Sequence, residues 1–310
     1  AEGAGTLHCA VGRKGLADLA DRARQWQDRG APVRLLDADE ATRLTGTRAY
    51  AGALLDERAG TIQPLAYARG LARAAIDAGA VVHTGSPVVG VTEIGPRWHL
   101  ATPEGRVTAD WVIVATNAYT RAPWPEIRAE IAHLPYFNIA TAPLSDNLRG
   151  TILPGRQGAW DTKPVLTSFR LDAAGRLVIG SVGALRGTGA GIHRAWARRT
   201  MRALFPQAAD MPFEAEWYGR IGMTADALPR FHRLARNVVS FSGYNGRGIA
   251  PGTAFGAVLA DLVAGRITEA DLPLPVTDPA PIGFRAVREI AYEVGAQAVH
   301  LAEARGPASG

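Results

Sequence analysis

The sequence of 310 residues has one cysteine, no long uninterrupted apolar run, no internal repeat and almost no lysine. A lone Cys9 excludes an intrachain disulfide, and a reducing compartment, the cytoplasm, is the simplest expectation. Within "TLHCAV" it reads as a small strand residue. Without about 20 consecutive apolar residues no membrane-spanning helix is expected. The seven His show neither H-x-x-x-H nor mixed Cys/His spacing, so no metal is expected. The net charge of +5 comes from scattered Arg, not from a basic cluster, and nucleic acid is not an expected partner. Residue 1 is Ala and no charged-then-apolar leader follows; no signal peptide is read, and a segment upstream is expected to be missing.

What is present suits a globular protein large enough for two domains: 47% of residues are hydrophobic and 20% charged. "GTLHCAVGR" reads as a strand, "GLADLADRARQWQDRG" as a helix ended by Gly30, and "LDADEATRLTG" as a short helix capped by Asp37 or Asp39. In "GTIQPLAYARGLARAAIDAGA" a helix starts at Pro64 and ends at Gly79, with Leu65, Ala68, Leu71, Ala72 and Ala75 on a face expected to pack on a sheet. "AVVHTG", "PVVGVTEIG", the hairpin "RWHLATPEGRVTA" and "DWVIVATNAYT" read as strands, the last apolar enough to be buried on both faces. Widely spaced strands such as "VLTSFRLD", "GRLVIGSVG" and "EAEWYGRIG", around the helix "RAWARRTMRALFP", suggest the mixed sheet of a second domain. "ADLPLPVTDPAPIG" is Pro-rich and extended. The last helix carries Phe284, Val287, Ile290, Ala291, Val294 and Leu301 at packing intervals.

The stretch "SFSGYNGRGIAPGTAFGAVLADLVAGR" runs strand, glycine-rich turn, helix. A dinucleotide fingerprint needs G-x-G-x-x-G, then an acidic residue at the end of the next strand. Here Gly246, Gly248 and Gly252 are spaced one residue too widely, and the Pro-broken "ADLPLPV" that follows cannot be a central strand. The turn is therefore not a first Rossmann unit, although it offers backbone N–H groups and a helix N-terminus to a negatively charged partner.

"GTIQPLAYARGLARAA", "GAVVHTGSPVVGV", "ADWVIVATNAYT", "WYGRIGMTADALPRF" and "VVSFSGYNGRGIAPGTAFGAVLADLVAG", in that order, resemble the FAD-dependent D-amino-acid oxidase superfamily over essentially the whole chain. Its bacterial amine and amino-acid oxidoreductases, among them glycine or sarcosine oxidases and gamma-glutamylputrescine oxidoreductases, are the most similar. The resemblance implies an α+β, two-domain flavoprotein fold, with an incomplete Rossmann-like FAD domain interleaved with a mixed-sheet substrate domain. The expected division is 1–49 and 123–225 to the substrate domain, 50–122 and 226–270 to the FAD domain, and 271–310 to a Pro-rich segment and C-terminal helix. The family's opening G-x-G-x-x-G strand and turn have no counterpart, so the sequence looks like a member lacking its first segment, with the late strand–loop–helix closing the FAD domain.

Residue roles follow from the resemblance. Val88 and Val89 resemble the position whose backbone meets the adenine, with a core strand position an equal reading. Ala115, Thr116 and Asn117 resemble the turn beside the cofactor. Gly222, Met223, Thr224 and Pro229 resemble the crossing from substrate to flavin domain, where Thr224 and Asp226 read equally as turn residues or caps. Gly246, Arg247 and Gly248 fit an approach to the flavin edge that gains negative charge on reduction, with a surface ion pair the plain alternative for Arg247. Tyr244 and Asn245 join Arg247 as catalytic candidates, and Tyr136, Arg170 and Trp217 are substrate-binding ones, with a core position the plain alternative for each aromatic. His193 and His232 show no partner in sequence, and surface positions are expected.

The implied activity is FAD-dependent oxidation of an amine or amino acid by hydride transfer to the flavin, giving an imine that hydrolyses, with dioxygen or another electron acceptor closing the cycle. A cofactor-free subunit serving as an interaction module is the alternative from another class. A nicotinamide dehydrogenase is disfavoured by the lack of a fingerprint turn.

Overall fold

The computed structural model describes residues 1–303. In chain order its elements are β1 (Thr6–Cys9), α1 (Gly12–Gln27), β2 (Val33–Leu36), α2 (Ala38–Thr45), β3 (Ala53–Asp56), α3 (Pro64–Asp77), β4 (Gly90–Ile94), β5 (Arg97–Thr102), β6 (Gly105–Ala109), β7 (Val112–Val114) and α4 (Pro125–Ala129). Then follow β8 (Ala132–Pro143), α5 (Asp146–Thr151), β9 (Gly158–Asp161), β10 (Thr167–Leu171), β11 (Arg176–Val182), α6 (Gly187–Leu204), β12 (Phe213–Met223), β13 (Arg230–Ala235), β14 (Val238–Ser242), α7 (Ile249–Val263), β15 (Val276–Thr277) and α8 (Arg285–Ala302). They form two compact units, each drawn from separate stretches: Ala1–Arg69, Pro135–Gly219 and, among the described residues, 292–303; and Gly70–Leu134 with Arg220–Ala291.

The first unit is built on an eight-stranded sheet of order β12-β8-β11-β10-β9-β1-β3-β2, in which β1 and β9 run parallel. Alternation along its strands separates the two faces. Leu7, Phe137, Ile139, Ala159, Phe169, Leu171 and Ile179 enter a core completed by Trp196, Met201 and Phe205 on and after α6. At about 25 cal/mol per Å2 of apolar surface, the four aromatic rings among them, Phe137, Phe169, Trp196 and Phe205, bury a large stabilising area on this face. On the other face α1 lays Leu19 and Ala23 over Val33 and Leu54. α2 begins with a capping box, Asp37 bonding Glu40 and the reverse, which settles the cap in favour of Asp37.

The second unit has a mixed sheet, β15-β13-β14-β7, and an antiparallel one, β4-β5-β6. β7 and β14 run parallel, pairing Val114 with Ser240. Trp98, Val112, Val114, Ile127, Ile131 and Val238 form one core, and Phe231, Val239 and Phe241 pack on Leu259 and Leu262 of α7 in another.

Four expectations need correction. Residues 80–85 form no strand, and Val81 is 79% exposed: an extended segment becomes a strand only beside a partner, and none of the described strands pairs with it, whereas further on the Val89 N–H already donates to the Ala101 carbonyl of β5 at 2.9 Å. No residue of α3 is buried, so its apolar face does not pack on a sheet within the described residues. α8 turns its polar side inward. In the first unit Glu293 bonds Arg186, Gln297 meets Thr188 and His300 meets His193, while Val294 and Leu301 stay exposed. Finally, His193 and His232 are fully buried, because each meets a distant polar partner.

Candidate functional site

In the second unit, parallel β7 and β14 end side by side, and at the carboxyl ends of such strands loops are free to shape a ligand site. After β7 come the exposed Ala115 and Thr116, then a single 3-10 turn at Asn117–Tyr119. After β14 comes the loop from Gly243 to Gly248 that opens α7. Asn117 (φ 40°) and Asn245 (φ 51°) both occupy the left-handed region, which Asn tolerates better than most side chains. Each uses its amide to join two segments. Asn117 Oδ1 accepts the Gly243 N–H at 2.9 Å. Asn245 Oδ1 accepts the Thr224 N–H at 2.9 Å, and the Asn245 N–H donates to the Gly222 carbonyl at 3.1 Å. Thr224 Oγ1 in turn donates to the Leu228 carbonyl at 2.8 Å. Gly243, at φ 75°, could not be replaced, since a Cβ there would stand 2.4 Å from Thr224 Cγ2.

Of the sequence-derived candidates, Asn117, Gly222, Tyr244, Asn245, Gly246, Arg247 and Gly248 thus belong to one knot of loops, with Ala115 and Thr116 entering it. Val88 lies apart, half-buried in the stretch leading to β4. The Arg247 side chain is exposed and makes no ion pair among the described residues. Its N–H donates to the Tyr244 carbonyl at 2.9 Å. Gly248 caps α7 without a side-chain bond, and the Ile249 and Ala250 N–H groups belong to that first turn. The Tyr244 ring stacks on Phe241 at 5.6 Å, and burial raises its phenol pKa. Sequence reasoning missed Ser242: its Oγ is fully buried at the end of β14 and finds no hydrogen-bond partner among the described residues.

In the first unit, Tyr136 and Arg170 share the sheet face opposite the core, and Trp217 on β12 is 44% exposed. Tyr136 Oη lies 2.7 Å from Ser168 Oγ, and burial pushes its pKa up to about 12, so it stays a neutral hydroxyl. Burial also pulls the Arg170 guanidinium below its ordinary value. Trp160 and His8, stacked at 5.2 Å, extend this face; period-two alternation alone could have flagged them.

A strand–glycine-turn–helix with an uncapped N-terminus, an unpartnered buried hydroxyl and left-handed hinges is a class of site built to bring backbone close to an anionic or electron-rich ring. Residues 2–262 match the family described as FAD dependent oxidoreductase, and the chain belongs to that family. Among curated relatives, a probable oxidoreductase, OrdL, of Haemophilus influenzae is 29% identical over 269 residues, covering 86% of this chain and 62% of its own length. Gamma-glutamylputrescine oxidoreductase of Escherichia coli is 31% identical over 265 residues, covering 84% and 62%. The chain therefore spans somewhat less than two thirds of these relatives. The crystal structure of glycine oxidase from Geobacillus kaustophilus shares the fold, with a TM-score of 0.71 at 22% identity over 85% of this chain and 71% of that one. The D-amino-acid-oxidase type of α+β flavoprotein fold is thus established, and FAD is the family's cofactor.

The residues present fit the ring end of that cofactor. Ser242 Oγ is buried with hydrogen-bonding capacity to spare, Gly243 tolerates no side chain, and the α7 N-terminus carries no competing cap. Among the described residues no group of three or more His, Cys, Asp or Glu could hold a metal ion.

Proposed function

We propose that the protein oxidises an amine or amino acid to an imine, which water then hydrolyses, with dioxygen or another acceptor taking the electrons in the end. When bound, FAD supplies the two-electron acceptor, whose ring system becomes more negative on reduction. On this reading Asn117 and the Tyr244–Gly248 loop hold the ring, and Ser242 Oγ gains the partner it lacks. Arg247 and the first turn of α7 favour the negative charge, because preorganised donors need no reorganisation when charge develops. Tyr244 and Asn245 fix the loop that carries them. Tyr136, Arg170 and Trp217 bind the substrate. The free, buried thiol of Cys9 suits a reducing cytoplasm, and no helix of the described residues is long and apolar enough to cross a membrane.

The observation that carries this reading is the Asn117–Gly243 and Asn245–Thr224 pair of bonds, which shapes the loop at the mouth of two parallel strands. Turnover of the FAD-loaded protein with a panel of primary and secondary amines, read as release of the aldehyde or keto product, tests it. Product from at least one amine in proportion to acceptor consumed supports the proposal. A flavin-loaded protein that releases no carbonyl product from any amine, yet oxidises alcohols or hydroxy acids, refutes it.

A further inference from the structure

In the second unit the 3-10 turn Asn117–Tyr119 is held from three directions, one residue at a time. Asn117 Oδ1 accepts the Gly243 N–H at 2.9 Å, the Ala118 carbonyl lies 2.6 Å from His133 Nε2, and Tyr119 Oη accepts the Arg220 N–H at 3.2 Å. The His133 contact leads on to α8. We propose that Glu289 of α8, acting through Arg128 and His133, is a positioning residue that holds this turn in its cofactor-binding shape, so that docking of the first turns of α8 primes the FAD site.

Each link of this tether is a direct contact. Glu289 Oε1 accepts the His133 backbone N–H at 2.9 Å and a proton of Arg128 Nη2 at 2.6 Å. Arg128 Nη2 also donates to His133 Nδ1 at 3.0 Å, and its Nη1 donates to the Ile131 carbonyl. These partners fix the imidazole. A guanidinium has only protons to offer and a carbonyl only lone pairs, so Nδ1 is bare, Nε2 carries the proton and donates to Ala118, and the ring is neutral. Burial, seconded by the Arg128 charge, holds the His133 pKa below its ordinary value, which preserves that form at neutral pH. The other charges facing the ring are Arg220 and Glu289, whose Oε1 is 3.8 Å from Nδ1 and 3.9 Å from the Arg285 guanidinium.

The turn needs such a hold. Asn117 sits at φ 40°, in the left-handed region, and a single 3-10 turn has few bonds of its own. On its other side it packs closely on Gly222, where a Cβ would stand 3.3 Å from Asn117 Oδ1. A shift of the Ala118 carbonyl therefore carries Asn117 Oδ1, one residue earlier, off the Gly243 N–H. The approach to α8 is fastened to the same α4 that supplies Arg128: the Ile282 N–H donates to the Ala129 carbonyl at 3.0 Å. Glu289 lies beyond residue 262, so this hold on the turn comes from outside the part of the chain that the family defines.

The inference rests on the proposed assignment of this turn to the FAD site, and its first test needs neither cofactor nor turnover: exchange of the Gly243 amide, followed by NMR in the full protein without FAD and expressed as a protection factor. Glu289→Ala and His133→Leu should each lower Gly243 protection at least about tenfold, while amides of the β13–β14 ladder change less than about twofold. His133→Gln, which keeps an N–H donor, should lose less than about threefold. Should Glu289→Ala fail to fold, Glu289→Gln decides, with a loss of about threefold expected when a neutral acceptor replaces a charged one. In wild type Gly243 protection should fall as pH drops below the ordinary histidine range, because a protonated Nδ1 confronts Arg128, and His133→Gln should show no such fall. FAD affinity, read from quenching of flavin fluorescence, should fall at least about tenfold in Glu289→Ala and His133→Leu. Unchanged Gly243 protection, a loss shared equally by the ladder amides, a pH response that His133→Gln retains, or parent FAD affinity would overturn the tether. Tether-dependent FAD binding by a protein that oxidises no amine would sink the proposed function and leave the tether standing. Amine oxidation by a protein whose FAD affinity ignores both substitutions would do the reverse.

Discussion

Asn117 Oδ1 accepts the Gly243 N–H at 2.9 Å, so one side chain in a left-handed turn joins the loop after β7 to the loop after β14. Replacing Asn117 by Ala removes the acceptor and places a less tolerant residue at φ 40°. The expected loss is about 2–3 kcal/mol, combining an unsatisfied N–H with left-handed strain. Urea denaturation of the variant, with Asn117→Asp as the control that keeps an acceptor, measures it. A change under about 0.5 kcal/mol would show that the bond does not organise the loops.

Among the described residues Arg247 has no acidic partner to lose, which makes its replacement a clean electrostatic probe of the loop. Arg247→Ala should leave the melting temperature unchanged and slow flavin reduction by amine roughly a hundredfold, corresponding to about 3 kcal/mol of barrier. Amine affinity should change little. Rapid-mixing kinetics across a range of amine concentrations separate the two effects, and reduction at the parent rate would return Arg247 to a plain surface charge.

His232 is the contrasting case, a buried titratable side chain with partners. Its Nδ1 donates to the Thr277 carbonyl at 2.6 Å and its Nε2 meets Glu130 Oε2 at 2.6 Å, anchoring the Pro-rich segment to β13. Burial pulls its pKa down, but the Glu130 carboxylate and the Thr277 carbonyl together outweigh burial, and the net shift is upward. With the folded value above the unfolded one near 6.5, this stabilisation is complete below about pH 6.5 and is lost as pH rises through the raised value. The stability gap between wild type and His232→Gln should therefore narrow on the alkaline side. A gap that widened with pH would contradict this.

The His193–His300 pair behaves the other way. Their Nδ1 atoms are 2.8 Å apart, His300 stacks on Trp196 at 4.3 Å, and burial holds the pair near about 4 and about 3. Depressed folded values mean stability that is full above about pH 6.5 and drains away as pH falls toward those values, because the unfolded chain takes up the protons first. Wild type should lose stability steeply between about pH 6.5 and 4, and His300→Phe, which keeps the ring stack, should lose it less steeply. Chemical denaturation at a series of pH values gives both slopes, and equal slopes would remove the pair from this role.

The loop "GYNGRGIAPGT" was legible because its chemistry is local: Gly and Asn mark left-handed backbone, and a helical pattern follows. The two-faced sheet was legible in part, since alternation puts Phe169 and Leu171 on one side and Ser168 and Arg170 on the other. Buried polar partnerships were not legible. His193 meets His300 across 107 residues and His232 meets Glu130 across 102, and no short-range pattern encodes such pairs. "AVVHTG" has strand propensity, yet propensity yields no ladder without a neighbour to bond. α8 misled for a related reason. Its apolar spacing is real, but ion pairs to Arg186 and the buried His300 fix the opposite side inward.

The central claim is that this family member passes electrons from an amine to FAD. Anaerobic mixing of the FAD-loaded protein with a panel of amines and amino acids, followed through the visible absorbance of the flavin, tests it most directly. At least one amine should bleach the flavin completely in a single, saturable phase, and a panel that leaves the spectrum unchanged while dithionite bleaches it would contradict the account.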